Sequence, residues 1–163
     1  MPNTPEFSHL DEQGRIRMVD VSRKSPTPRR AVASAVVTVG AEILAKIAAR
    51  GFDKGDVLTT AKIAGIQAAK RTSELIPLCH GLNPEHVDVE INLVEPDSVA
   101  IRSTARITAA TGVEMEALTA AAVAALTIYD MCKSVGKGIT IGPIRLEEKT
   151  GGKSGAWRRE APA

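Results

Sequence analysis

HVDVEINLVEPDSVAIRSTARITAATGVEMEALTAAAVAALTIYDMCK, residues 86–133, changes its hydrophobic period once. In its first half Val87, Val89, Ile91 and Leu93 alternate with polar residues, Pro96 and Asp97 make a turn, and VAIRSTARIT alternates again. Alternation on both sides of a short turn predicts two strands of a hairpin. From TGVEMEALT onward the period becomes helical, with Thr111 as cap, Glu114 at capping-box spacing and Gly136 just past the end.

Upstream, AVASAVVTV predicts a strand ending at Gly40, preceded by the basic turn RKSPTPRR. AEILAKIAARG predicts a short helix that stops at Gly51, a residue that tolerates a left-handed cap. A second helix starts with Asp56 as N-cap and ends at Pro77. Its Ala61, Gly65, Ala68 and Ala69 make a small-residue face, so a partner element packs close against it. Downstream, ITIGPIRLEEK predicts a last strand.

The order strand, helix pair, strand, strand, helix, strand is the split βαβ pattern of a ferredoxin-like α+β fold with an antiparallel sheet and one extra helix. The expected organisation is a flexible arm over 1–17, a single ferredoxin-like domain over 18–149 and a glycine-rich basic tail over 150–163. Aromatic residues make up 2% of the chain and the long helix is rich in alanine, so the core is expected to be completed at an interface with partner subunits.

Composition bounds the function. The 163 residues are 44% hydrophobic, enough for a core, and 21 basic against 19 acidic residues leave a net charge of +2. So even a balance gives no general attraction to nucleic acid or an acidic membrane, and an anion site must be local. Two distant cysteines without paired spacing suit a reducing, cytoplasmic setting. The N-terminus lacks the apolar core of a signal peptide, and no run reads as apolar and charge-free enough to span a bilayer.

Chemistry concentrates in two places. LIPLCHGLN, residues 75–83, sets Cys79 beside His80 behind a proline. Metal ligation would need Cys79, His80, His86 and Cys132 without any paired spacing, and adjacent residues in an extended turn point apart, which disfavours a Cys–His nucleophile. Cys79 reads as packing; His80 is open between a structural role and an acid, base or anion-binding one. In YDMCK, Asp130 and Lys133 share a face of a helix that is otherwise nearly free of charge. They read either as a helical ion pair or as a proton-transfer pair tuned by partial burial.

Glu116 and Asp130 lie on that one helix fourteen residues apart, about 21 Å. They cannot both reach one small reacting centre within a chain, so their roles differ or the site is built from two subunits. Lys54 precedes a helix start, where backbone N–H groups favour anions. The tail TGGKSG fails as a P-loop, because Glu147 stands where the first glycine belongs and no helix pattern follows; a mobile basic flap is the expectation.

MVDVS, KGDV with TAKIAGIQAAKRTSELIPLCH, TGVEMEALTAAAVAALTIYDMCK and GGKSG occur in order over residues 18–155. Together they resemble the cyclic pyranopterin monophosphate synthase family, the C protein of molybdenum cofactor biosynthesis. The resemblance implies a homohexamer, a trimer of dimers, with active sites between subunits. Its implied reaction rearranges 3′,8-cyclo-7,8-dihydro-GTP, made by a radical S-adenosylmethionine enzyme, to cyclic pyranopterin monophosphate and pyrophosphate. It implies no redox cofactor and no metal site in the protein, with room for Mg²⁺ accompanying the triphosphate.

By the same resemblance Asp130, Lys133, Lys54 and His80 are the expected catalytic set. Leu78, Cys79, His80, Met115, Glu116, Arg29, Lys70 and Lys149 are the expected substrate contacts. One departure stands out: the family turn reads PLCHPL, and here Gly81 gives PLCHGL, restoring an N–H that proline lacks. The rival readings are a non-catalytic nucleotide-binding regulatory module and an RNA-binding domain of the same topology. The second lacks the aromatic sheet pattern such domains use to stack bases.

Overall fold

The computed structural model describes residues 13–160. The expectation for residues 1–12, most of the arm, lies outside the described residues. Five strands and four helices follow one another as β1 (Thr27–Thr38), α1 (Ala41–Ala48), α2 (Val57–Ala69), α3 (Thr72–Leu75), β2 (His86–Val94), β3 (Ser98–Ala109), α4 (Glu114–Cys132), β4 (Thr140–Thr150) and β5 (Trp157–Arg158). The sheet order is β2-β3-β1-β4-β5, antiparallel throughout. Without β5 this is the ferredoxin-like split βαβ arrangement that the order of elements predicts.

The hairpin forms as expected, with Ile91 opposite Ile101 and Val94 opposite Ser98. Alternation decides which face is covered. Val99, Ile101, Ser103, Ala105 and Ile107 of β3, with Ala31, Ala33, Ala35 and Val37 of β1, are buried beneath the helices. The small side chains of β1 let α4 approach closely, and Ala117, Ala120, Ala121, Ala124, Ala125 and Ile128 fill that contact. Ser103 Oγ donates to the Ala117 carbonyl at 2.6 Å, which satisfies a hydroxyl that would otherwise be stranded in the core. The small face of α2 meets α4 as expected: a Cβ added at Gly65 would lie 2.8 Å from the Ala120 carbonyl oxygen.

Several local expectations are corrected. β1 starts at Thr27, so Arg29 belongs to a strand and not to a turn. At the end of α1 the left-handed residue is Arg50, φ 53°, and Gly51 follows it with its N–H on the Lys46 carbonyl at 2.9 Å. Asp56 does cap α2, accepting from the Thr59 N–H at 3.0 Å, but the helix breaks at Lys70 and resumes as the single turn α3. There the buried Thr72 hydroxyl donates to the Ala69 carbonyl at 3.1 Å, replacing a backbone donor at the break.

Thr111 does not cap α4. Val113 takes the cap position with no side-chain bond, and the Glu114 carboxylate, folded over Gly112, accepts from Lys149 Nζ at 2.9 Å. The tail also differs: residues 157–158 return to pair with Glu148 and Lys149 of β4. Finally, α4 has the length and composition of a membrane span, contrary to the reading above, yet more than half of it is buried inside the protein. Its apolar surface serves as core.

Candidate active site

One end of α4 opens onto a cavity of about 370 Å³. Three segments build it. The 78–80 turn supplies Leu78, Cys79 and His80, the start of α4 supplies Glu114, Met115 and Glu116, and the segment leading to β1 supplies Val19, Val21 and Lys24. The turn is shaped by the Cys79 N–H donating to the Ile76 carbonyl at 3.1 Å. Gly81 beside it has no positive φ, and an added Cβ would meet only Ser73 Oγ at an ordinary 3.7 Å, so nothing local demands glycine.

Glu116 is 3% exposed, and burial pushes its carboxyl above the ordinary range; a backbone hydrogen bond opposes the shift and the charge of Glu114 adds to it. Such burial favours the neutral, hydrogen-bond-donating form of a carboxyl over the ionised one. Cys79 is pushed up by burial and then by the charge of Glu116, so its thiol stays protonated and behaves as packing. Cys132, fully buried, is pushed up to about 11 by the same loss of hydration.

A second cavity, of about 790 Å³, shares Lys24, Thr111 and Gly112 with the first and adds Ser25, Thr27, Arg29, Gly152, Lys153 and Ser154. Arg29 Nε and Nη2 donate to the carbonyls of Ala109 and Ala110 at 3.3 and 3.4 Å, which leaves Nη1 beside Gly152. A side chain at Gly151 would overlap the Pro28 carbonyl, and one at Gly152 the Arg29 guanidinium. Both glycines have positive φ, so the turn that carries Lys153 and Ser154 to the cavity depends on their lack of a Cβ. Thr27 Oγ1 is buried there without a hydrogen-bond partner among the described residues.

The other expected catalytic residues lie at the far end of α4. Lys133 Nζ is 2.6 Å from Asp130 Oδ1, and Lys54 Nζ is 2.9 Å from the Asp130 carbonyl oxygen and 3.4 Å from Oδ2. The expected burial is absent within the chain: Asp130 is 60% and Lys133 52% exposed. The Lys133 hydrogen bond and charge, then those of Lys54, hold Asp130 below the usual carboxylate range, and Asp130 holds Lys133 above the usual ammonium range. Both directions lock the ion pair and oppose proton exchange near neutrality.

The structure therefore places ten of the eleven expected site residues near the two ends of α4. Leu78, Cys79, His80, Met115 and Glu116 line the first cavity, Arg29 the second, and Lys149 joins them through Glu114. Lys54, Asp130 and Lys133 form the other cluster, and Lys70, exposed at the end of α2, lines neither cavity. Val19, Val21 and Lys24 were missed as site residues. The signal was present, since MVDVS and the basic RKSPTPRR both stand out in the sequence. Among the described residues no three His, Cys, Asp or Glu side chains converge as a metal-ligand set.

Fold and cavities define a ferredoxin-like α+β chain with a site that pairs a buried carboxyl and a histidine with a cationic, glycine-bounded recess. The family model described as MoaC family matches residues 18–152, and the chain belongs to that family. A protein of Geobacter metallireducens named cyclic pyranopterin monophosphate synthase is 56% identical over 159 residues, covering 96% of this chain and 99% of the relative. Relatives of the same name from Geobacillus kaustophilus and Bordetella pertussis are 52% and 53% identical over 157 and 161 residues. Those two matches cover 94% and 98% of this chain and 97% and 100% of the relatives.

Proposed function

We propose that this chain is a cyclic pyranopterin monophosphate synthase, a lyase that rearranges 3′,8-cyclo-7,8-dihydro-GTP to cyclic pyranopterin monophosphate with release of pyrophosphate. The observation that carries the reading is the convergence of the 78–80 turn and the 115–116 helix start on one cavity, in a chain that matches its relatives end to end. Ring opening, ring closure and cyclic phosphate formation need proton carriers and neutralised phosphates, which carboxylates, imidazole, ammonium and guanidinium groups supply. His80 and Glu116 serve the heterocycle. Arg29 and Lys149 serve the phosphates, and Mg²⁺ travelling with the triphosphate would enter as part of the substrate.

Asp130, Lys133 and Lys54 complete this site from a second subunit. Their position at the opposite end of α4, their exposure and their locked ion pair support that reading, because a partner's cover removes the water that stabilises the pair. Apolar Ile63 and Leu126, 52% and 58% exposed, offer surface for the contact. A homohexamer of this kind would work in the cytoplasm, where the free Cys79 and Cys132 stay reduced. A radical S-adenosylmethionine enzyme would supply the substrate.

Incubation of the purified chain with the cyclised GTP intermediate tests the assignment. Stoichiometric cyclic pyranopterin and pyrophosphate are expected; tight binding of the intermediate without either product would instead favour a regulatory nucleotide-binding module.

A further inference from the structure

His80 is hydrogen-bonded to the segment ahead of β1: its Nε2 lies 2.8 Å from the carbonyl oxygen of Val19, sixty-one residues earlier in the chain. A carbonyl oxygen accepts and never donates, so Nε2 carries the proton in this contact. Neutral His80 is thereby confined to one tautomer, with the lone pair on Nδ1. Nδ1 has no hydrogen-bond partner among the described residues, and His80 lines the cavity together with Val19 and Val21.

The carbonyl is held by more than chance placement of a loop. Asp20 Oδ1 accepts from the Ser22 N–H at 2.9 Å and the Lys24 N–H donates to the Val21 carbonyl at 3.0 Å, so hydrogen-bonded turns follow Val19 directly. Val19 and Val21 are both half-buried and line the cavity.

We propose that Val19 is a positioning residue: its main-chain carbonyl sets His80 as the Nε2–H tautomer and leaves Nδ1 as the nitrogen that serves the cavity. Resting on the synthase reading for what the cavity binds, this assigns His80 the accepting side of a proton transfer. A substrate proton passes to Nδ1, and the resulting imidazolium keeps, and strengthens, its Nε2–H bond to Val19 as a charge-assisted one. Residues 19–24, ahead of β1, are then part of the working site.

Three histidines make the test direct. Full-length protein labelled with ¹⁵N-histidine is examined by magic-angle-spinning NMR above the imidazole titration range, with His80→Gln assigning the signal. The expected spectrum shows His80 protonated at Nε2 alone, while exposed His86 shows the tautomer mixture of free imidazole. A mixture at His80, or a proton on Nδ1, overturns the proposal. In full-length Asp20→Gly protein, which releases the turn next to the Val19 carbonyl, His80 is expected to fall back to the mixture, and an unchanged pure tautomer would overturn the role of Val19.

Substrate affinity supplies an independent arm, since an asparagine amide reaches the place of Nδ1 and a glutamine amide that of Nε2. His80→Asn is expected to bind the cyclised GTP intermediate at least about threefold more tightly than His80→Gln; equal or reversed affinities count against Nδ1 as the working nitrogen. Failure of the wild-type chain to form product would sink the synthase reading and leave the tautomer result standing.

Discussion

Asp130 lies between two ammonium groups and is more exposed than buried, so its loss should leave the fold intact and act on chemistry alone. Asp130→Asn is expected to lower turnover about 10²-fold or more while the chain still folds; full turnover in a steady-state assay would remove Asp130 from the mechanism. Glu116 poses the opposite case. Burial raises its carboxyl pKa, so between the ordinary and the raised value the folded chain binds more protons than the unfolded one. Stability contributed through Glu116 is therefore full below the ordinary carboxylate pKa and falls as pH rises through the raised one. Glu116→Gln should flatten this fall, giving a variant with a higher melting temperature than the parent near neutrality and no such gain at acid pH.

At the scale of elements, the contact between α2 and α4 rests on the absence of a side chain. Alanine at position 65 would gain about 1 kcal/mol of helix propensity. The added Cβ would stand 2.8 Å from the Ala120 carbonyl oxygen, 3.2 Å from Val89 Cγ2 and 3.3 Å from Ala124 Cβ. Main chain cannot yield as a flexible side chain does, so overpacking wins. Gly65→Ala is expected to lower unfolding stability by about 1–2 kcal/mol in a denaturant titration, and a stabilised variant would show that the helices separate without cost. The same competition between local and distant contacts explains the start of α4. A capping box was legible at Thr111 and Glu114, yet Lys149 from β4 holds the Glu114 carboxylate, and no local pattern announces a partner thirty-five residues away.

For the whole molecule, the unbroken α4 keeps Glu116 and Asp130 at opposite ends and prevents one chain from closing one site around both. Two inactive variants should then repair each other. Glu116→Gln and Asp130→Asn chains, dissociated and reassembled together, are expected to recover a measurable fraction of wild-type turnover through sites that draw each intact end from a different subunit. Activity no greater than the sum of the separate variants would place a complete site within one chain. The surface apolar pair Ile63 and Leu126 gives a companion measurement: Leu126→Asp should shift the assembly toward smaller species in sedimentation and lower turnover with it.

Periodicity and punctuation by themselves determined the order of the four long strands and the main helices, the hairpin, the Asp56 cap and the small-residue face of α2, because each depends on residues near one another in the chain. They also brought out the His80 turn and the Asp130–Lys133 face, since those residue types are rare in their neighbourhoods. Tertiary structure alone decided which of these meet. It buried Glu116 and left Asp130 in water, carried Val19 to His80 and Lys149 to Glu114, and folded the glycine-rich tail back onto β4. Burial, tautomer and charge pairing are set by atoms that sequence separates by tens of residues, and only packing brings such atoms within a few ångströms.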